Sequence, residues 1–126
     1  MKTFHTVTAV LETLSGLLLI LAPALAASFL FGALETTPVE LALARMAGVA
    51  LLALGVACWL ARRDAASAAA RGLAGGMLIY NVGVAAVLAY AGIGLGIAGI
   101  GLWPAVVIHA AMTVWNISVM VGRQTG

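Results

Sequence analysis

The chain has 126 residues, of which 64% are hydrophobic and 8% are charged, and its formal net charge is only +2. A soluble domain is about a quarter charged, and a chain this short buries only about two-thirds of its surface on folding. The composition therefore excludes a water-soluble globular domain and makes the lipid bilayer the expected surroundings. No basic tract with interleaved aromatic residues occurs, so nucleic acid is not an expected partner.

Four segments are long and apolar enough to cross a bilayer as helices, which takes about 20 residues each. They predict an all-α fold, a four-transmembrane-helix bundle, in which residues 1–126 form a single integral membrane domain. The predicted spans are residues 4–31, 38–61, 66–91 and 102–121.

The first segment has an alternative interpretation as a secretory signal peptide. Lys2, the apolar run 14–22 and the small residues within 23–27 follow the order of a charged start, an apolar region and a cleavage site. His5 and Glu12 are unusual in a signal peptide, so we interpret the segment as a retained span.

Helix-start signals precede the next two spans. Thr37, Pro38 and Glu40 occur in the order of an N-cap, a proline at the first helical position and an acid at the third. Asp64 is the predicted N-cap of the third helix.

The distribution of charge predicts the orientation. The loop after the first span carries only acidic residues, Glu35 with Glu40 just after it, whereas basic residues flank the other side. By the positive-inside rule, both termini and the second loop are expected in the cytoplasm. Arg45 is the one basic residue that does not fit this distribution, because it falls well inside the second span. The remaining basic residues are Lys2, Arg62, Arg63, Arg71 and Arg123.

The third loop contains the pattern G-x-G-x-x-G from Gly94 to Gly99. A dinucleotide site needs a strand before this pattern, a helix after it and an acid about 20 residues further on. Here a membrane helix precedes the pattern and no acid follows it, so we expect a flexible or partly re-entrant apolar hairpin.

Polar residues recur at helical spacing inside the spans. In lipid such residues are expected to face the bundle interior, so together they predict a polar seam between the helices. They are His5, Thr8, Glu12 and Ser15 in the first span, Tyr80 and Asn81 in the third, and His109, Thr113 and Asn116 in the fourth.

The predicted depths decide which charged residues meet. At about 1.5 Å per residue, Glu12 and Arg45 are expected roughly 20 Å apart along the membrane normal, which argues against an ion pair. Arg45 is instead expected to extend outward, toward Glu40 or Glu35. Glu12 is predicted at the cytoplasmic end of the seam, one turn nearer the cytoplasm than Asn116.

Glu12 has two interpretations, because a carboxyl inside a membrane is costly and is by default a functional-site hypothesis. In the structural interpretation, which we prefer, a neutral or hydrogen-bonded carboxyl links helices through Asn116 or a backbone carbonyl. In the functional interpretation, Glu12 carries protons or attracts cations in a cavity open to the cytoplasm. Asn81 and Asn116 are expected to be interhelical amides that hold the bundle together.

No cofactor or metal site is predicted. His5 is expected near the inner surface and His109 in the outer half, so the two do not suit one haem iron within a single chain, although ligation by one histidine stays open. Cys58 is the single cysteine and has no metal-ligand spacing around it. It is expected to behave as a small buried hydrophobe.

Small residues recur along two of the spans and predict close helix contacts. Such faces suit packing within the bundle, assembly with further copies of the chain, or docking on a larger membrane complex. They are Ala44, Gly48 and Gly55 in the second span and Gly72, Gly75, Gly76 and Gly83 in the third.

Residues 11–17 (Leu-Glu-Thr-Leu-Ser-Gly-Leu) and 44–55 (Ala-Arg-Met-Ala-Gly-Val-Ala-Leu-Leu-Ala-Leu-Gly) resemble small bacterial four-helix membrane proteins of the DoxX-like type. The resemblance in hydropathy covers nearly the whole chain. It implies a four-helix bundle in the inner membrane of a bacterium, and some relatives serve as membrane partners of redox or sulfur-oxidising systems. No quinone or substrate site transfers from it residue by residue.

Three functions are consistent with the sequence, and none of them rests on a recognisable catalytic motif. The first is an accessory or scaffold subunit that packs against itself or a larger membrane complex. The second is a quinone- or haem-linked redox subunit that uses His109, Tyr80 and Trp115. The third is a small-solute or proton transporter that uses the seam around Glu12. We favour the first, a role that is not enzymatic.

Overall fold

The computed structural model describes residues 1–122, and this part of the chain is all-helical, as predicted. Four of the helices are long and apolar enough to cross a membrane. Arg123, which contributes to the predicted orientation, lies outside the described residues. The elements are α1 (Lys2–Leu21), α2 (Pro23–Phe31), α3 (Pro38–Ala61), a 3-10 turn (Arg62–Asp64), α4 (Ala68–Gly94) and α5 (Leu102–Val121).

The first predicted span, residues 4–31, consists of two helices rather than one. The chain breaks at Ala22, which has φ −135° and ψ 58°, and Pro23 begins α2. Proline has no N–H to continue the hydrogen bonds of α1, and its ring disfavours helical geometry in the residue before it. As a result α1 ends at Leu21, and α2 is a short helix that ends at Gly32 in the left-handed conformation.

The predicted start of α3 is confirmed, and the predicted start of α4 is shifted. The Thr37 hydroxyl accepts from the Glu40 N–H at 3.3 Å, and the Glu40 carboxylate accepts from the Thr37 N–H at 2.6 Å. At α4 the cap is Ser67, whose hydroxyl accepts from the Ala70 N–H at 3.1 Å. Asp64, the predicted cap, lies in the preceding 3-10 turn.

Helices α1 and α3 pack antiparallel with their backbones in direct contact. A Cβ added to Gly48 would lie 2.7 Å from the carbonyl oxygen of Gly16, and a Cβ added to Gly16 would lie equally close to that of Gly48. About two turns after Gly48 on α3, a Cβ on Gly55 would lie 2.5 Å from the Thr13 hydroxyl. Of the two small-residue faces predicted from the sequence, the one on α3 therefore makes the tightest helix contact within the bundle.

The second close helix pair is α4 with α5, and the core lies where the two pairs meet. The ring of Phe4 packs edge-on against Trp115 at 5.6 Å, which joins α1 to α5. The cluster draws on α1, α3, α4 and α5. Its buried members are Phe4, Ala9, Cys58, Met77 and Met112.

The loop between α4 and α5 is docked on α2, whereas the sequence predicted a flexible or re-entrant hairpin. The Gly101 N–H donates to the Phe29 carbonyl at 2.8 Å. A Cβ on Gly99 would collide with the backbone of Leu30, and Gly99 and Gly101 are both buried. Glycine is required here because the loop backbone lies directly on the backbone of α2.

Candidate functional site

Most of the predicted polar seam is buried between the two helix pairs. One predicted member, Ser15, is exposed, although it lies within about 20° of the buried Thr8 around α1. His109 and Thr113 are half-buried on α5. The buried polar residues are His5, Thr8, Glu12, Asn81 and Asn116.

Glu12 lies at the centre of this seam and is only 6% exposed. Its side chain interacts with that of Tyr80 on α4, whose phenol is placed to donate to the carboxyl. The expected partner was Asn116 or a backbone carbonyl. Because α1 ends at Leu21, Glu12 lies midway along the helix, and not at the shallow end where a continuous span 4–31 would place it.

Tyr80 also contacts His109, so the seam crosses from α1 through α4 to α5. The Tyr80 and His109 rings meet edge to face with centroids 5.8 Å apart. The Nδ1 of His109 lies 2.8 Å from the carbonyl oxygen of Ala105. Since a carbonyl oxygen only accepts, Nδ1 carries the proton, and in the neutral ring Nε2 is the acceptor. A carboxyl, a phenol and an imidazole therefore follow one another through the bundle.

The two asparagines, both predicted as interhelical amides, differ in their partners. Asn116 donates from Nδ2 to the carbonyl oxygen of Ala74 at 2.8 Å, which joins α5 to α4. Asn81 donates to the carbonyl oxygen of Met77 at 2.7 Å, within its own helix. The Thr113 hydroxyl likewise donates to the carbonyl oxygen of His109, one turn earlier on α5.

The order of these residues along the bundle axis differs from the prediction. Ala74, which holds Asn116, precedes Tyr80 by about 9 Å of helix, at 1.5 Å per residue. Asn116 therefore lies nearer than Glu12 to the end of the bundle that holds the N-terminus. The sequence placed them in the reverse order because it assigned too long a first helix.

Replacing Asn116 with leucine is expected to destabilise the bundle modestly, by about 0.6 kcal/mol, the average for interhelical hydrogen bonds in a membrane protein. The effect stays small because the Asn116 Oδ1 is buried with no hydrogen-bond partner among the described residues, so the substitution also removes an unsatisfied acceptor. Thermal unfolding in detergent measures the change. Asn81→Leu is the matched control, and a loss of stability as large in that variant as in Asn116→Leu would contradict the assigned interhelical role.

The two histidines lie at different levels of the bundle. Phe4, which is adjacent to His5 in the chain, packs on Trp115. Trp115 follows His109 by about 9 Å of helix. The geometry does not bring both imidazoles to one haem iron. Among residues 1–122, no group of three or more His, Cys, Asp or Glu side chains is placed to hold a metal ion.

Arg45 contacts the end of α1. Its Nε donates to the carbonyl oxygen of Ile20 at 3.3 Å, in the last turn of α1, where carbonyls lack intrahelical donors. The sequence predicted that Arg45 extends toward Glu35 or Glu40. In the structure the Glu40 carboxylate instead accepts a hydrogen bond from Thr37 at the N-cap of α3. The break at Pro23, had it been recognised, would have indicated a helix end for Arg45 to cap.

Sequence reasoning did not connect Cys58 with this site. The thiol is completely buried and lies within electrostatic range of Glu12. Because Cys58 lies on α3, each of the four long helices contributes a residue to the seam or its immediate surroundings.

No protein-family model, curated protein or solved structure matches the chain.

Proposed function

We propose that the chain is an accessory subunit of a bacterial inner membrane, which uses one face of α4 to pack against a further copy of itself or a larger membrane complex. Four helices that are long and apolar enough to cross a membrane support the multi-pass part of this proposal. The open glycine face of α4 supports the packing role and is the observation on which the proposal depends.

The glycine face consists of Gly72, Gly76 and Gly83, which fall within about 40° of one another at 100° per residue. A Cβ added to any of these glycines would meet nothing within 4 Å. Ile79 lies on the same side and is 77% exposed. Glycine costs a helix up to about 1 kcal/mol relative to alanine, and no contact within the described chain offsets that cost here.

The contact between α1 and α3 indicates what such a face is suited for. There, Gly16 and Gly48 let two helix backbones touch. In membranes, association relies on close packing between small residues, because lipid provides no hydrophobic driving force between helices. The face on α4 offers an equally flat surface without a partner helix from residues 1–122, which favours a helix from another chain.

The orientation that we propose places both termini in the cytoplasm. An even number of crossings puts the two ends of the chain on one side of the membrane. Lys2, Arg62, Arg63 and Arg71 lie at the end of the bundle that contains the N-terminus, whereas Glu35 lies at the opposite end. This asymmetry follows the positive-inside rule.

Replacing Gly76 with leucine is expected to abolish assembly while the stability of the single chain is retained, because the new side chain blocks the face without meeting an internal neighbour. Particle mass in mild detergent, compared with crosslinking in native membranes, measures the assembly. Val82→Leu is the matched control, because Val82 is exposed on α4 about 100° around the helix from this face. An unchanged particle mass and crosslinking pattern in Gly76→Leu would contradict the proposal.

A second candidate function is proton transfer, with or without a quinone or haem, through Glu12, Tyr80 and His109. The specific observation in its favour is the sequence of contacts from carboxyl to phenol to imidazole across three helices. The DoxX-like resemblance of residues 11–17 and 44–55 is consistent with a redox-linked role. Absorbance and solvent extraction of the purified protein test the redox form. A preparation with no visible absorbance and no extractable quinone would argue against it.

A further inference from the structure

An apolar groove runs along the outer side of the contact between α1 and α3. Its volume is about 400 Å³, and its lining includes Val10 and Leu14 from α1 and Val56 and Trp59 from α3. Gly55, which contacts Thr13 of α1, also lines the groove. The groove faces away from the polar seam and plays no part in the function proposed above.

The side chain of Arg62 lies at the end of the groove that Trp59 lines. The guanidinium carbon of Arg62 lies 3.5 Å from the centroid of the Trp59 ring, so the lining residue and the cation form a single unit. Stacking of this kind fixes the guanidinium and is favourable by itself. The Nε of Arg62 is buried with no hydrogen-bond partner among the described residues. No acceptor within residues 1–122 thus satisfies that nitrogen.

The charge around Arg62 is positive. Lys2 begins α1, Arg63 follows Arg62 in the 3-10 turn, and Arg71 lies in the first turn of α4 at the same end of the bundle. Asp64 is the only acidic residue in the 3-10 turn. This end of the bundle therefore attracts anions, and Trp59 connects it to the groove.

We infer that the groove binds an anionic glycerophospholipid, with an acyl chain along Val10, Leu14 and Val56 and the phosphate at the guanidinium of Arg62. The groove supplies apolar surface, and the stacked cation supplies a charge for the phosphate, which arginine recognises through paired N–H groups. A second copy fits less well, since two chains in the same membrane orientation would bring their Arg62 and Arg63 residues to the same level as like charges.

Fluorescence of Trp59 reports directly on the groove when Trp103 and Trp115 are replaced by phenylalanine. The protein is reconstituted in phosphatidylcholine bilayers that contain a small fraction of lipid with brominated acyl chains, either phosphatidylglycerol or phosphatidylcholine. Bromine quenches tryptophan only on close approach. We expect brominated phosphatidylglycerol to quench Trp59 at about fivefold lower mole fraction, which corresponds to the roughly 1 kcal/mol of one arginine near an anionic surface.

Two variants separate the parts of the site. Arg62→Gln is expected to remove the preference for phosphatidylglycerol, whereas Arg71→Gln, which removes a charge from the same end but not from the groove, is expected to keep it. Val10→Phe is expected to reduce quenching by both brominated lipids because the ring fills the groove. Equal quenching by the two lipids in the parent protein would overturn the inference, and so would equal loss of preference in Arg62→Gln and Arg71→Gln. Trp59 shielded from both lipids would instead indicate a protein occupant.

Discussion

Replacing Gly48 with leucine is expected to destabilise the bundle by about 3 kcal/mol or more, the upper range for overpacking a filled site. A Cβ at this position would lie 2.7 Å from the Gly16 carbonyl oxygen and 2.9 Å from the Leu19 Cβ. The oxygen belongs to the backbone and cannot rotate away, so α3 must move off α1. Unfolding followed by circular dichroism in mixed detergent micelles measures the loss.

Gly75→Leu is the matched control for this prediction, because Gly75 lies outside the glycine face formed by Gly72, Gly76 and Gly83. It adds the same side chain to a glycine of a long apolar helix, but a Cβ there meets nothing within 4 Å. Its free energy of unfolding is expected to equal that of the parent chain or to exceed it, because leucine is the better helix former. A Gly48→Leu variant as stable as Gly75→Leu would show that α1 and α3 do not touch at Gly48.

The four long helices were predictable because hydrophobic length is a strong signal in a membrane chain. Three of the four predicted spans agree with the helices to within a few residues, and the Thr37 capping box follows from local sequence alone. The break at Pro23 was missed, since both sides of it are equally apolar and hydropathy does not change there. A proline inside a predicted span of 28 residues was the available signal.

The membership of the polar seam was easier to predict than its pairings. Helical periodicity brought His5, Thr8 and Glu12 to one buried face of α1. Pairings depend on the position of each residue along the bundle axis. When the predicted end of a helix is wrong, the predicted positions of all residues in that helix are displaced. The missed break at Pro23 therefore displaced Glu12 relative to Asn116 and hid Tyr80 as its partner. The glycine face of α3 is covered by α1, whereas that of α4 is open. This difference depends on tertiary packing and cannot be predicted from the spacing of the glycines.

Glu12 is the residue on which the second candidate function depends. Glutamine has nearly the shape of glutamic acid and still accepts a hydrogen bond from Tyr80, but it does not bind and release a proton. Substitution by glutamine therefore separates a structural role from a proton-carrying role. A structural carboxyl tolerates the change, whereas a proton carrier does not.

The proton-transfer function predicts that Glu12→Gln lowers proton flux into vesicles by about 100-fold, the lower range for loss of a positioned proton-transfer group. Flux is measured with a pH-sensitive dye in liposomes under an imposed potential, beside the unfolding midpoint of the same preparation. Glu35→Gln, a change to an exposed carboxyl outside the long helices, is the control and should leave flux unchanged. Tyr80→Phe should give an intermediate loss, because it removes the phenolic proton between Glu12 and His109. Flux retained in Glu12→Gln would leave the carboxyl a structural link between α1 and α4.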